Sequence, residues 1–296
     1  MTAAFCFICG GKDFEKLTEA YQRCRQCWHE TLVEGGGQSF MLNDPLSKVD
    51  AVRSSVLDRF KNNVLERFDP DPPNTALWVD VGSASGKYLF QNLHRYNKAI
   101  GLEVTPSAIK FSREVLGLNI LEDAIMLPER FHIITAWHSL EHFPADALDR
   151  TLDTLAKKLP RGAIFIVSVP NSNSIQYKWF RSSYAFFDVP SHLHQFSPVS
   201  LDILLGRHGF NRLRLIMSWP YNIFGYIQGL LNIMTGTHNY LYFRIKRKSA
   251  KSSWWWDVIN GCLLPIAVPF GLVMGLMDAI RPEQQGVITV CYKKSH

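Results

Sequence analysis

The chain has 296 residues, 47% of them hydrophobic and 20% charged, proportions that exclude wholesale disorder and allow one large core with appendages. Its net charge of +6 and pI near 9.0 leave nucleic acid, anionic lipid and a merely basic surface open. Six cysteines are too sparse for the disulfide framework of a small secreted domain, so a reducing, cytoplasmic setting is expected.

The N-terminal segment MTAAFCFICGG has no basic start leading into an apolar run, and no secretory signal is expected. Two close pairs follow, Cys6/Cys9 in CFIC and Cys24/Cys27 in CRQC, with fourteen residues between them. This is the spacing of a four-thiolate zinc ribbon. Such a closed site folds a segment too small to bury its own core and leaves no position open for catalysis, so a structural zinc is expected. Residues 1–40 are assigned to this module, with the triple glycine Gly35 to Gly37 near its end. Residues 41–74 read as a linker, a polar helix from Leu46 to Phe68 stopped by DPDPPN, where Pro72 and Pro73 forbid continuation.

Residues 75–219 alternate strand and helix. ALWVDV reads as a buried strand, the stretch after Gly86 as a helix, NKAIGLEV as a second strand, SAIKFSREVL as a helix and LNILED as a short strand. FHIITAWH is a strand, ALDRTLDTLAKKL an amphipathic helix and AIFIVSVP another strand. SPVSLDILLGRHGF reads as a helix capped by Ser197, with Pro198 at its first position and Gly209 near its end. RLRLIMSW is the next strand, and GVITVCYKK, within residues 286–296, is the last. Strands interleaved with helices of this length need crossover connections, which gives an α/β fold with a mostly parallel sheet and helices on both faces. Residues 220–285 then form an apolar helical insertion before the final strand.

The chemistry gathers at the strand ends. A strand ending at Asp80, followed by Gly82, Ala84 and Gly86 and then a helix, puts a tight turn at the carboxyl edge of the sheet, where open α/β folds bind ligands. The segment departs from a dinucleotide fingerprint, since Lys87 follows Gly86. About twenty residues on, Glu103 ends the second strand, placed to accept hydrogen bonds from ribose hydroxyls. Loop and acid together favour an adenosine cofactor.

Val79 to Gly86, Glu103, and HSLEHF from His138 to Phe143 followed by LAKKLPRGAIFIVSVPN resemble the class I S-adenosylmethionine methyltransferase family over roughly residues 75 to 217. The resemblance implies a Rossmann-like seven-stranded sheet and S-adenosyl-L-methionine as cofactor. It implies that Asp80 and the loop of Gly82, Ser83, Ala84 and Gly86 bind the methionine portion, that Glu103 holds the ribose, that Asp123 and Ala124 lie near the adenine, and that His138 borders the cofactor. Ala84 replaces the family's usual central glycine, and His132 stands where many relatives have aspartate. The cysteine module resembles the small zinc-binding segment preceding some sugar-modifying methyltransferases.

Methyl transfer to a hydroxyl needs alignment and removal of a proton. Candidate bases or substrate contacts are His142 in WHSLEHF, beside His138 and Glu141, and His192 and His194 in PSHLHQF, a loop that looks like the one preceding the post-sheet helix in many glycan and quinone-type methyltransferases. In an extended segment His192 and His194 would point to the same side. A metal held by His138, His142, His192 and His194 ranks low, because a sulfonium donor needs no metal and no carboxylate-rich ligand pattern is evident.

In the insertion, WPYNIFGYIQGLLNIMTG and CLLPIAVPFGLVMGLMDAI flank the basic run RIKRKSAK and the tryptophans Trp254, Trp255 and Trp256. Basic residues meet anionic headgroups and indoles favour the interface, so peripheral attachment to the cytoplasmic face of a membrane is expected. Cys262 to Ile280 is nineteen residues long, near the length of a span, but contains Pro265, Pro269 and Asp278, which favours an interfacial or re-entrant hairpin. The leading reading is a methyltransferase O-methylating a glycan, lipid-linked sugar or lipid-like acceptor at the membrane surface. The alternatives are a soluble small-molecule methyltransferase whose insertion is a lid or dimer contact, and a zinc-ribbon nucleic-acid-binding protein with a degenerate methyltransferase fold.

Overall fold

The computed structural model describes residues 5–18, 20–33, 48–69, 76–96, 98–247 and 254–295. The triple glycine, the Pro72–Pro73 turn and the end of the basic run lie outside the described residues.

The central strand β4 (Leu77–Val81), read as LWVDV, is buried at every position. Beside it run β5 (Lys98–Leu102) and β6 (Asn119–Leu121) on one side, and β7 (Ile133–Trp137) and β8 (Ile164–Pro170) on the other, all parallel. The last strand, β11 (Val287–Lys294), inserts antiparallel between β8 and β10 (Phe210–Met217), which gives a seven-stranded sheet ordered β10-β11-β8-β7-β4-β5-β6. Strand order therefore reverses between β4 and β7, and the crevice outside their carboxyl ends is where such a sheet takes ligands.

Strand residues alternate between two cores because successive side chains point to opposite faces. Val79, Val81, Ile134, Phe165 and Val167 join leucines of α4 (Ala145–Lys158) and α6 (Pro198–Arg207) on one face. Trp78, Ile133 and Ile166 join Phe60, Val64 and Leu65 of α1 (Lys48–Phe68) on the other. In α4, Leu148, Leu152, Leu155 and Ala156 form the buried stripe that the helical spacing predicts. Helix α6 starts as expected: Ser197 and Ser200 form a reciprocal capping box, with Pro198 in the first turn.

The N-terminal strands β1 (Phe14–Lys16), β2 (Tyr21–Cys24) and β3 (Glu30–Leu32) extend into the core through β9 (His194–Gln195), in the order β1-β2-β3-β9. Cys6, Cys24, Cys27 and Ile8 are part of the main hydrophobic core. The buried Glu30 accepts from Arg23 and, at 2.7 Å, from the hydroxyl of Tyr177 in α5 (Ile175–Phe180), so the module is tied to the sheet by polar as well as apolar contacts.

The insertion is helical: α7 (Trp219–Thr235), α8 (Tyr240–Arg247) and α9 (Trp254–Met277). Glycines let α9 approach α7: a Cβ at Gly271 would lie 2.4 Å from Ile227 Cγ1, and one at Gly275 would lie 2.5 Å from Ile223 Cγ1. Those pairings make α7 and α9 an antiparallel hairpin. The Tyr226 hydroxyl donates to Asp278 Oδ1 at 2.9 Å and closes its base. The interfacial or re-entrant hairpin expected within Cys262 to Ile280 does not form there: α9 runs unbroken through Pro265 and Pro269 to Met277, and it is α7 that it packs against. Both prolines are exposed. Among the described residues α9 is the one helix long and apolar enough to cross a membrane.

Candidate active site

The turn after β4 is built on backbone that side chains resist. Gly82, Ala84 and Gly86 have φ of 71°, 48° and 70°. A Cβ at Gly82 would lie 2.3 Å from Ser139 Cβ, so glycine is what lets the β7 turn sit against the loop. Ala84 holds a left-handed conformation that favours glycine, which is the physical meaning of its departure from the family pattern. Glu103 fastens this turn: its Oε2 accepts from Ala84 N, and its Oε1 from Val104 N and Thr105 N, each at 2.8 Å.

Asp80 is buried beneath the loop and accepts from Thr135 Oγ1, which in turn accepts from Trp78 Nε1 at 2.9 Å. Burial pushes its carboxyl up to about 6, against the hydrogen bond from Thr135 and the charge of Lys61, while Glu103 adds a little to the rise. Lys61, on α1, stands over the rings of Tyr88 and Trp137 at 4.6 and 5.4 Å.

Across the crevice, the turn after β7 carries His138 at φ 54°. Its ring meets Tyr221 of α7 at 4.6 Å between centroids, and its Nδ1 is 3.4 Å from Glu141 Oε1. Glu141 is wholly buried. Burial opposes its ionisation, but the contact with His138 and the nearby His142 outweigh that and hold the carboxyl below its usual range. His142 faces His192 with ring centroids 4.7 Å apart. Burial and the neighbouring His142 lower the His192 imidazole to about 4, so it is neutral near pH 7.

The expected histidine cluster is thus partly assembled. His138, His142 and His192 gather around Glu141, whereas His194 turns into the N-terminal module. There its Nδ1 is 3.1 Å from His29 Nε2, and its ring packs on Phe7 and Phe196. The shared side expected for His192 and His194 is not what forms, because only His194 enters β9 and its pairing with Thr31. Asp123, exposed, caps the turn after β6 by accepting from Ile125 N at 2.9 Å, and Ala124 is buried beside it. His132 bonds Asp69 at the end of α1, and that contact raises its imidazole; it takes no part in the crevice. Tyr221, Lys61 and Phe60 were not legible in sequence, because they reach the crevice from the insertion and from α1.

Buried polar atoms left without hydrogen bonds concentrate here. Among the described residues they include Ser83 Oγ, Tyr88 Oη, Trp137 Nε1, His138 Nε2, Ser139 Oγ and both carboxylate oxygens of Glu141. Folded proteins rarely leave such groups unpaired, so their gathering at the ends of β4 and β7 and the start of α2 (Lys87–Gln91) marks a place for a polar ligand. They fit a cofactor carrying an amino acid group and a ribose. At the cysteines, Cys6 Sγ and Cys27 Sγ lie 3.6 Å apart and Cys9 Sγ and Cys24 Sγ 3.5 Å. Bonds of ~2.3 Å in a tetrahedron place sulfurs about 3.8 Å apart, so the four thiols are compatible with zinc.

Sheet order, reversal point and glycine turn together define the Rossmann-like fold of class I S-adenosylmethionine-dependent methyltransferases. The methyltransferase-domain family model matches residues 53–215, more than half of the chain, and the chain belongs to that family. A comparison with curated proteins finds no match in sequence. Among solved structures, a protein of Galdieria sulphuraria assigned as a sarcosine dimethylglycine methyltransferase is similar at TM-score 0.53 and 13% identity, covering 88% of this chain and 95% of that one. The [4+2]-cyclase SpnF is similar at TM-score 0.50 and 16% identity, covering 81% and 82%. Likeness at these identities speaks for the fold alone.

Proposed function

We propose that this methyltransferase O-methylates a lipid-like acceptor, a lipid-linked sugar or glycan, at the cytoplasmic surface of a membrane. The observation that carries the reading is Tyr221. It belongs to the first turn of α7, touches His138 in the crevice, and so joins the apolar hairpin directly to the site. The outer face of α9 exposes Trp254, Trp255, Val258, Ile266, Leu272, Val273 and Leu276, a continuous apolar surface that monomeric soluble proteins rarely present. The basic α8, reading YLYFRIKR, lies next to it in the chain and suits anionic headgroups.

S-adenosylmethionine supplies a methyl group on a sulfonium, and the residues around it hold and orient. Asp80 and the loop from Gly82 through Ser83 and Ala84 to Gly86 receive the methionine portion. Glu103 has about four acceptor sites and spends three on backbone, leaving one for a ribose hydroxyl. Val104 and Ile125, 73% and 71% exposed just after β5 and β6, offer apolar walls to an adenine beside Asp123 and Ala124. His138, His142 and His192 border the acceptor side, where the hydroxyl proton leaves. The four cysteines hold a structural zinc, and Tyr21 of that module binds the backbone oxygen of His192, which ties the ribbon to the acceptor loop.

Flotation with vesicles of phosphatidylglycerol and phosphatidylcholine tests attachment. The protein is expected to float, less at high salt, and a variant with Val258, Leu272 and Leu276 changed to serine is expected to stay at the bottom. If the variant floats like the unaltered protein, the membrane reading fails. Calorimetry with S-adenosylhomocysteine tests the cofactor site independently.

A further inference from the structure

Glu141, His142 and His192 bring one carboxylate oxygen and two imidazole nitrogens within 4.8 Å of one another. We infer that these three side chains bind a divalent first-row transition cation, at a site separate from the four cysteines.

The first support is Glu141. Its side chain is fully buried, and neither carboxylate oxygen makes a hydrogen bond. A buried carboxylate needs a counter-charge or a metal; Oε1 has His138 Nδ1 at 3.4 Å, and Oε2 is left without a hydrogen bond. Among the described residues its charged or titratable neighbours are the imidazoles of His138, His142 and His192, and a neutral imidazole offers one nitrogen lone pair.

The second support is how the ligands are held. His142 Nδ1 lies 2.9 Å from the Ser191 carbonyl, which can only accept; Nδ1 therefore carries the proton and the ligating lone pair is on Nε2. Metal-bound histidines are oriented in this way by a carbonyl on the other nitrogen. Leu193 N donates to the Glu141 carbonyl at 2.8 Å, which ties the loop before β9 to the turn after β7 at the ligands, and His192 N donates to Asp188 O at 2.7 Å within that loop. The Tyr21 hydroxyl adds a third tie, to His192 O.

The donor set also selects the metal class. Two imidazoles and one carboxylate suit zinc, iron(II) or manganese, whereas calcium and magnesium prefer oxygen alone. A set of four histidines, as read from sequence, looked unlike a metal site. The structure exchanges members: His194 leaves for the ribbon, His138 meets Tyr221 at a tilt and lies against Glu141 Oε1, and Glu141 supplies the carboxylate. Three protein ligands leave a coordination position for water or an acceptor oxygen. Ser139 of the same turn packs on Gly82, so the site adjoins the cofactor loop. A role in holding an acceptor oxygen rests on the methyl-transfer reading; the binding of the ion does not.

Metal counting on the full chain, stripped with chelator and reloaded with zinc, tests the inference. About two zinc ions per chain are expected, falling to about one in Glu141→Gln and in His192→Ala, with affinity for the second ion reduced at least ~100-fold. Cobalt titration of the unaltered protein gives a reading independent of variant folding: one equivalent should show thiolate-to-cobalt absorption and a second should bind without it. A single ion per chain with thiolate absorption only would overturn the inference. Calorimetry with S-adenosylhomocysteine on the same preparations reports separately on the methyltransferase reading.

Discussion

Replacing Asp80 by asparagine separates the fold's interest from that of the cofactor site. Burial raises the Asp80 carboxyl from 3.8 to about 6. For an acid raised on folding, the favourable contribution is complete below the unfolded value and is lost as pH rises through the folded one. Two pKa units at 1.36 kcal/mol each make the ionised side chain a burden of about 3 kcal/mol on the cofactor-free protein at pH 8, and about half of that at pH 5. Asparagine removes the charge while its Oδ1 still accepts from Thr135. Without cofactor, Asp80→Asn should therefore be more stable than the parent in urea at pH 8, by up to about 3 kcal/mol, with the advantage shrinking toward pH 5. Binding of S-adenosylmethionine should weaken at the same time, because the cation loses its carboxylate. A stability difference that does not change with pH, or an asparagine variant less stable at pH 8, would refute the reasoning.

Gly82→Ala places a Cβ 2.3 Å from Ser139 at φ 71°; left-handed strain and overpacking together should cost about 2–4 kcal/mol and abolish cofactor binding by calorimetry. Ala84→Gly should do the opposite, relieving about 1 kcal/mol of strain, partly offset by backbone entropy, and leaving cofactor affinity within a few-fold, as a urea melt and a titration would show. Cys24→Ser should release the ribbon zinc, lower the melting temperature and expose residues 5–33 to protease. Since Tyr21 holds His192 O, the same variant should also raise the acceptor KM more than it lowers cofactor affinity.

Much of the core was legible because its signals are local. The run LWVDV announced a strand buried on both faces, and Ser197-Pro198 announced a helix start, since propensity and capping act within a few residues. Glu103 was readable as a ligand-side acid, but not as the clamp on Ala84, because that bond joins two crossover units. Tyr221 and Lys61 carried no signal at all: an aromatic in an apolar insertion and a lysine in a polar helix look ordinary until tertiary contacts bring them over the crevice. The strands β1 to β3 are too short for a period to declare itself, and β9 exists only as a partner for β3.

By itself the sequence determined the alternation of elements, the glycine turn and its acid, and the spacing of the four cysteines, all of which depend on neighbours along the chain. Tertiary structure alone decided which histidines share a site. His192 and His194 are two residues apart, yet pairing of β9 with β3 sends His194 to His29 and leaves His192 facing His142, because a contact set by strand pairing is not encoded in the spacing of the residues it sorts.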